Sequence, residues 1–426
     1  MNMKIKTKVL GIFFLVLIAY TSCGKQNISQ ENKMEPEPVL VEKSADDQIV
    51  TPESEGKIAD NEAQKDEIQP FSDSRDLQVE EYLSKMTLEE KVAQLFVVLP
   101  ESLVDMNTVT AAGDITKRAF DEVPVGGFIY MEKNLCSFEQ VKTMLENVQA
   151  YSMERLGLPA FICVDEEGGT VTRIGDRSAF DVPDIKNMSE IGKGQNVDEA
   201  YHAGEVIGGY LSELGFNVDF APVADVWSNP NNKVVRYRSF GENPQLVSDM
   251  SLAFLNGLQS KGVLGAYKHF PGHGATEGDT HAGYAYTSKS LEQLLECELV
   301  PFQTGINQGV QFIMVGHIAV PDLTGDDTPS SVSAILIEQV LREQMGYDGI
   351  VITDAMNMGA IVQNYSSAQA AVNALQAGVD IILMPKDFNS AYNGVLEAVE
   401  QQILSVERID ESLRRIIKIK LSCCVE

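Results

Sequence analysis

The sequence predicts an α/β chain whose eight parallel strands close into one (β/α)8 barrel, and three observations carry that expectation. From about residue 77 onward, short apolar runs alternate with amphipathic helical stretches, the pattern of repeated βαβ units. Eight such runs fall within about 350 residues, which suits a barrel with insertions better than an open sheet. Polar and titratable residues gather just after the runs, where a parallel α/β fold carries its chemistry.

The runs expected as strands are 95–99, 125–131, 160–164, 216–220, 263–268, 312–315, 349–353 and 380–384. Each is rich in Val, Ile, Leu or Phe and is bounded by turn residues, as buried strands are. Helical periodicity fills the intervals at 137–155, 197–214, 244–260, 291–308, 334–344 and 368–377. A last helical stretch, about 390 to 419, has no strand after it. The expectation is therefore a single domain over 77–426.

What precedes that domain has a different composition. Between Lys25 and Pro70 there is no aromatic residue, acids outnumber lysines, and Pro36, Pro38 and Pro52 punctuate the run. Such a segment cannot bury enough apolar surface to offset chain ordering, so 23–76 reads as a disordered acidic tether. Ahead of it, Lys4, Lys6 and Lys8 are followed by an apolar run over 9–20, the layout of an export signal and short for a membrane span. Thr21-Ser22-Cys23 resembles the lipobox of bacterial lipoproteins, with Tyr20 where Leu is usual. That resemblance implies a signal peptide over 1–22, lipidation of Cys23, and an exported protein held by its lipid on the extracytoplasmic face of the membrane.

The whole chain has 426 residues, 44% of them hydrophobic, enough for one large core. Its formal charge of −29 argues against nucleic acid as a partner, which would need a basic footprint. The remaining cysteines, Cys136, Cys163, Cys297, Cys423 and Cys424, are irregularly spaced and offer neither a disulfide framework nor paired C-x-x-C zinc sets.

The strand ends hold the candidate site. Asp165 follows the third run, Asp225 the fourth, Lys268-His269 the fifth, His317 the sixth and Asp354 the seventh. In a barrel these ends share one mouth, so residues nearly 200 positions apart converge. Asp354 is either the cap of a following helix or a reactive carboxylate. With Lys268, Arg173 and Arg238 in the same mouth, the second reading gains, because those cations would keep it ionised and nucleophilic. Three of the five histidines, His269, His273 and His281, lie on the loop after the fifth run. Asp279 and His281 form either a carboxylate–imidazole dyad or a pair of solvated loop residues. His269 and His273 are four apart, but Pro271-Gly272 forbids the helix that would aim both at one metal ion. Neither a metal nor a cofactor is expected.

Several blocks, taken together, resemble glycoside hydrolase family 3, in particular its bacterial β-N-acetylglucosaminidases. They are V-D-E-E-G-G at 164–169, F-A-P-V-A-D-V at 220–226, R-S-F-G at 238–241, K-H-F-P-G-H-G at 268–274 with D-T-H at 279–281, and T-D-A-M-N-M at 353–358. The resemblance implies Asp354 as nucleophile, His281 as acid/base with Asp279 as its carboxylate, and sugar contacts from Asp165, Arg173, Arg238, Lys268 and His269. It implies a retaining exo-β-N-acetylglucosaminidase that trims GlcNAc from peptidoglycan fragments; a carbohydrate partner and a monomeric chain are the accompanying expectations. Glu166 departs from the family's usual Gln, and Arg236-Tyr237 from a common small-residue turn, which bears on fine specificity. A β-glucosidase or phosphorylase of the same family, a metal-dependent barrel hydrolase, and a non-catalytic sugar-binding lipoprotein are the alternatives. Attack by the substrate's own N-acetyl carbonyl is the mechanistic one.

Overall fold

Each of the eight apolar runs becomes a parallel strand, in most cases shorter than the run itself. The computed structural model describes residues 74–277 and 285–423. Its barrel strands are β1 (Phe96–Val98), β2 (Gly127–Ile129), β3 (Phe161–Val164), β4 (Val218–Asp219), β5 (Leu264–Phe270), β6 (Phe312–Val315), β7 (Ile350–Thr353) and β8 (Ile382–Leu383). Neighbours pair in chain order, and β8 pairs in parallel with β1, Ile382 opposite Phe96. Between β7 and β8 the ring closes through a parallel bridge of Ile352 with Ile381, where the Thr353 N–H donates to the Ile381 carbonyl at 3.0 Å. Almost every strand residue is buried, as expected where helices cover one face of a sheet and the barrel core the other.

The helices follow the sequence where periodicity is unbroken and depart from it for identifiable reasons. Val197–Leu214 lies where expected, and Phe138–Leu156, Pro244–Gln259 and Ser367–Gln376 differ from expectation by a residue or so. The stretch 291–308 is two helices, Leu291–Glu296 and Leu299–Asn307. Pro301 explains the break: it has no N–H to offer the Cys297 carbonyl, and its ring would collide with it. The last stretch also divides, into Phe388–Glu400 and Val406–Ser422, the second capped by the Ser405 side chain. A π-helix spans Ile335–Gln344.

Helices that were not anticipated include Ser74–Lys85, Leu88–Ala93, Asp114–Glu122 and Met188–Gly194. The first begins three residues before the boundary expected at 77. It is tied to Val406–Ser422 by ion pairs of Glu80 with Arg414 (2.6 Å) and Asp76 with Lys418 (3.1 Å). The signal, most of the tether and Cys23 lie outside the described residues.

The two ends of the barrel differ. At the strands' N-terminal end, the Lys420 ammonium is buried, donating to Gln94 Oε1 and the Gly126 carbonyl, each at 2.8 Å. Nearby Asp380, also buried, takes Arg342 at 2.6 Å and Arg415 at 3.2 Å. That end is tied together by buried ion pairs. The strands' C-terminal ends hold the cavity that the candidate residues line.

Candidate active site

A cavity of about 360 Å³ lies at the C-terminal ends of the strands. Asp165, Arg173, Arg238, Lys268, His269 and Asp354 all line it, so six of the candidate residues converge as the barrel requires. Met131, Met314, Met358 and Met384 supply apolar wall. Met384 sits just past β8 with φ +48°, a strained conformation for a side-chain-bearing residue. The volume lies at the low end of ligand pockets and has room for about one sugar ring.

Asp354 follows β7 directly, its N–H donating to the Val315 carbonyl at 2.9 Å. It does not cap a helix: the next one, Gly359–Val362, begins five residues on, after Met358. One carboxylate oxygen accepts the Ala355 N–H at 2.7 Å. Burial alone would raise this acid. The imidazoles of His317 and His269, the Ala355 N–H and the Lys268 ammonium outweigh it and hold the carboxyl below its ordinary range. The sequence assigned that task to Lys268, Arg173 and Arg238. The lysine shares in it, whereas Arg238 pairs with Glu167 and Arg173 faces Asp165.

Their partners form a charged grip. Arg238 makes a two-pronged contact with Glu167, Nε to Oε2 and Nη2 to Oε1, both 2.7 Å. Lys268 Nζ lies 2.6 Å from the same Glu167 and 3.0 Å from Asp165. Arg173 Nη2 stands 3.6 Å from the other oxygen of Asp165. Glu167 and Lys268 are almost fully buried. Burial opposes the charge on Glu167, yet Arg238 and Lys268 pull its carboxyl far below the usual range. Burial likewise opposes the charge on Lys268, and Glu167 and Asp165 restore it. Buried Arg173 Nε has no partner among the described residues, leaving a donor for a hydroxyl.

Glu167 is the residue that sequence reasoning missed. The adjacent acids of D-E-E were the available signal, since consecutive residues leaving a strand point different ways. Glu166 points into its own loop. Its carboxylate accepts the N–H groups of Arg173 (2.6 Å), Ile174 (3.1 Å) and Gly175 (2.8 Å), and the Thr172 and Tyr210 hydroxyls. The departure from Gln at this position is thus met by five donors, and the loop they fold carries Arg173 to the cavity. Gly169, at φ +61°, turns that loop where any Cβ would strike Asn187.

The K-H-F-P-G-H-G segment is organised by Asp225. One of its oxygens accepts the backbone N–H of His269 (3.1 Å) and of His273 (2.6 Å); the other faces His269 Nδ1 at 2.7 Å. Arg238 Nη2, which can only donate, is 3.3 Å from His269 Nε2. The network fits the tautomer with its proton on Nδ1. His273 also lines the cavity, though it was singled out only for its motif. His317, by contrast, does not line it: its ring lies 2.8 Å from Ser331 Oγ and 3.0 Å from the Ala355 carbonyl, steadying the turn after Asp354. Asp279 and His281 fall outside the described residues. The chain on either side is fixed, because Glu277 and Tyr286 exchange backbone hydrogen bonds of 2.9 and 3.1 Å.

Fold and cavity together define a (β/α)8-barrel protein with a carboxylate-rich site at the strand ends. The chain belongs to glycosyl hydrolase family 3: residues 87–419 match the family described as "Glycosyl hydrolase family 3 N terminal domain". Among curated relatives it is 33% identical over 317 residues to "Beta-hexosaminidase A" of Pseudoalteromonas piscicida, covering 70% of this chain and 53% of the relative. It is 35% identical to "Beta-hexosaminidase LpqI" of Mycobacterium tuberculosis over 62% of this chain and 68% of that one. Among solved structures, a family 3 β-N-acetylglucosaminidase from Paenibacillus sp. str. FPU-7 superposes with a TM-score of 0.73 at 35% identity, covering 80% of this chain and 64% of that chain. The chain thus spans about half the length of the first of these relatives.

Proposed function

We propose that the protein is a retaining exo-β-N-acetylglucosaminidase that removes terminal GlcNAc from peptidoglycan fragments. The observation that carries this reading is the cavity itself, in which Asp354, its carboxyl held below the ordinary range, shares a ring-sized space with the charged groups Asp165, Arg173, Arg238 and Lys268. The relatives named as β-hexosaminidases support the choice of an N-acetylhexosamine.

In this mechanism a sugar lies with its hydroxyls against Asp165, Arg173 and Lys268, which accept and donate hydrogen bonds respectively. Asp354 attacks the anomeric carbon as the bond to the leaving oxygen breaks, and protonated His281 delivers a proton to that oxygen. A glycosyl ester on Asp354 results. Neutral His281 then takes a proton from water, whose oxygen attacks the same carbon and frees Asp354. Asp279 steadies the imidazolium. Glu167 touches no reacting atom; it holds Arg238 and Lys268 in place.

The chain is further proposed to act as a monomer, exported and lipid-anchored through Cys23, with the tether giving reach into wall material. Purified protein freed of its anchor should turn over an aryl β-N-acetylglucosaminide well and an aryl β-glucoside poorly. It should also release GlcNAc from a peptidoglycan disaccharide fragment. Equal turnover of the two aryl glycosides would remove the N-acetylhexosamine assignment.

A further inference from the structure

Asp279 and His281 belong to a stretch whose return limb, residues 285–289, the mechanism does not use. That limb is tied down twice. Ala285–Tyr286 pairs in parallel with Ile318–Ala319, and the Thr287 N–H donates to the Ala319 carbonyl at 3.0 Å. Lys289 then reaches Glu298, its ammonium 2.5 Å from Oε1.

Glu298 is an unusual place for a charge. It opens the helix Leu299–Asn307 and is fully buried, yet it does not line the catalytic cavity. Its Oε1 also accepts the Ser228 hydroxyl at 2.6 Å, while Oε2 has no partner among the described residues. Among those residues, no cation other than Lys289 comes within ion-pair distance of Glu298. A buried carboxylate with one cation is a pair that holds or fails together.

Three chain segments meet on this side chain. Gly272, at φ +127°, lies so close that a Cβ there would stand 2.6 Å from Glu298 Cβ. Gly272 is part of K-H-F-P-G-H-G, which Asp225 fixes at His269 and His273. Ser228 is on the loop after β4, where the Asn229 N–H donates to the Gly274 carbonyl at 3.1 Å. Lys289 adds the return limb. Glu298 therefore sets the spacing between the histidine turn at the cavity and the limb that leads back from His281.

We propose that Glu298 and Lys289 are positioning residues for acid/base catalysis. Their ion pair fixes the return limb and, through it, the reach of the His281 imidazole to the leaving oxygen. Neither touches a reacting atom. A misplacement of about 1 Å can cost a reaction step about a hundredfold. The inference rests on the reading of His281 as the acid and names what holds that acid in place.

The test compares kcat/KM on a natural disaccharide, whose leaving group needs a proton, with kcat/KM on an aryl glycoside bearing an activated leaving group. Lys289→Met keeps the side-chain stem and removes the charge. It should lose about tenfold or more on the disaccharide and less than about threefold on the aryl glycoside. Lys289→Arg, which returns a cation to Glu298, should recover most of that loss. Lys289→Met combined with Glu298→Gln leaves no unpaired buried carboxylate. Its melting temperature should return towards wild type while the disaccharide defect persists. Equal loss on both substrates, or a defect that vanishes as the melting temperature recovers, would show a purely structural pair and overturn the proposal. His281→Ala, assayed alongside, separates the proposal from the reading beneath it. If His281→Ala shows the substrate split and Lys289→Met does not, the positioning role falls alone. If His281→Ala shows no split, the acid assignment falls and takes the positioning role with it.

Discussion

Glu167 decides how the charged grip of Arg238 and Lys268 is held. Its carboxylate neutralises Arg238 and Lys268 at distances of 2.7 and 2.6 Å, in a setting with almost no solvent. Replacing it with Gln leaves two buried cations facing a neutral amide, and breaking a buried pair in this way costs about 3–5 kcal/mol. Glu167→Gln should therefore lower the denaturation midpoint and raise KM for an aryl glycoside more than it lowers kcat. Unchanged midpoint and KM would show that the grip does not depend on this residue. At this scale the sequence was only partly legible. Asp165, Arg173, Arg238 and Lys268 could be read from strand ends and motif blocks. The division of roles between Glu166 and Glu167 could not, because it depends on which way each side chain leaves β3.

The segment from β5 to Glu277 is the element on which the chemistry turns. Asp225 pins its backbone at His269 and His273, and the Glu277–Tyr286 pairing fixes both flanks of the stretch that carries Asp279 and His281. If His281 is the acid, its loss should matter most where the leaving group needs a proton. His281→Ala should lose about a hundredfold or more on a natural disaccharide, and an aryl glycoside with an activated leaving group should recover most of that. Equal loss on both substrates would contradict the acid role. Elements with unbroken periodicity, such as Val197–Leu214, were legible to the residue. The break before Leu299 was signalled by Pro301 and passed over. The short helices Leu88–Ala93 and Asp114–Glu122 carry too few turns for a periodic pattern to stand out.

For the molecule as a whole, barrel closure brings Asp165 and Asp354 to one cavity. That convergence was legible because eight apolar runs fix the topology without any knowledge of contacts. Closure also buries groups that link stability to pH. Burial, only partly opposed by Asp225 and reinforced by His269 and Arg238, lowers the His273 pKa to about 4. The unfolded chain binds this proton near 6.5, whereas the folded protein resists it. The resulting stabilisation is complete above pH 6.5 and is lost as pH falls towards 4, up to about 3 kcal/mol. Between pH 6.5 and 5, above most carboxylate titrations, the wild-type melting temperature should fall more steeply than that of His273→Gln. Parallel curves would show that His273 is not held neutral by the fold.

The nucleophile can be tested by trapping it. Incubation with a slow fluorinated N-acetylhexosaminide bearing an activated leaving group, followed by peptide mass spectrometry, should find one sugar esterified to the peptide containing Asp354. Asp354→Ala should show no adduct. Turnover of that reagent without any adduct, or with the sugar on a different carboxylate, would contradict the assignment of Asp354 as the attacking group.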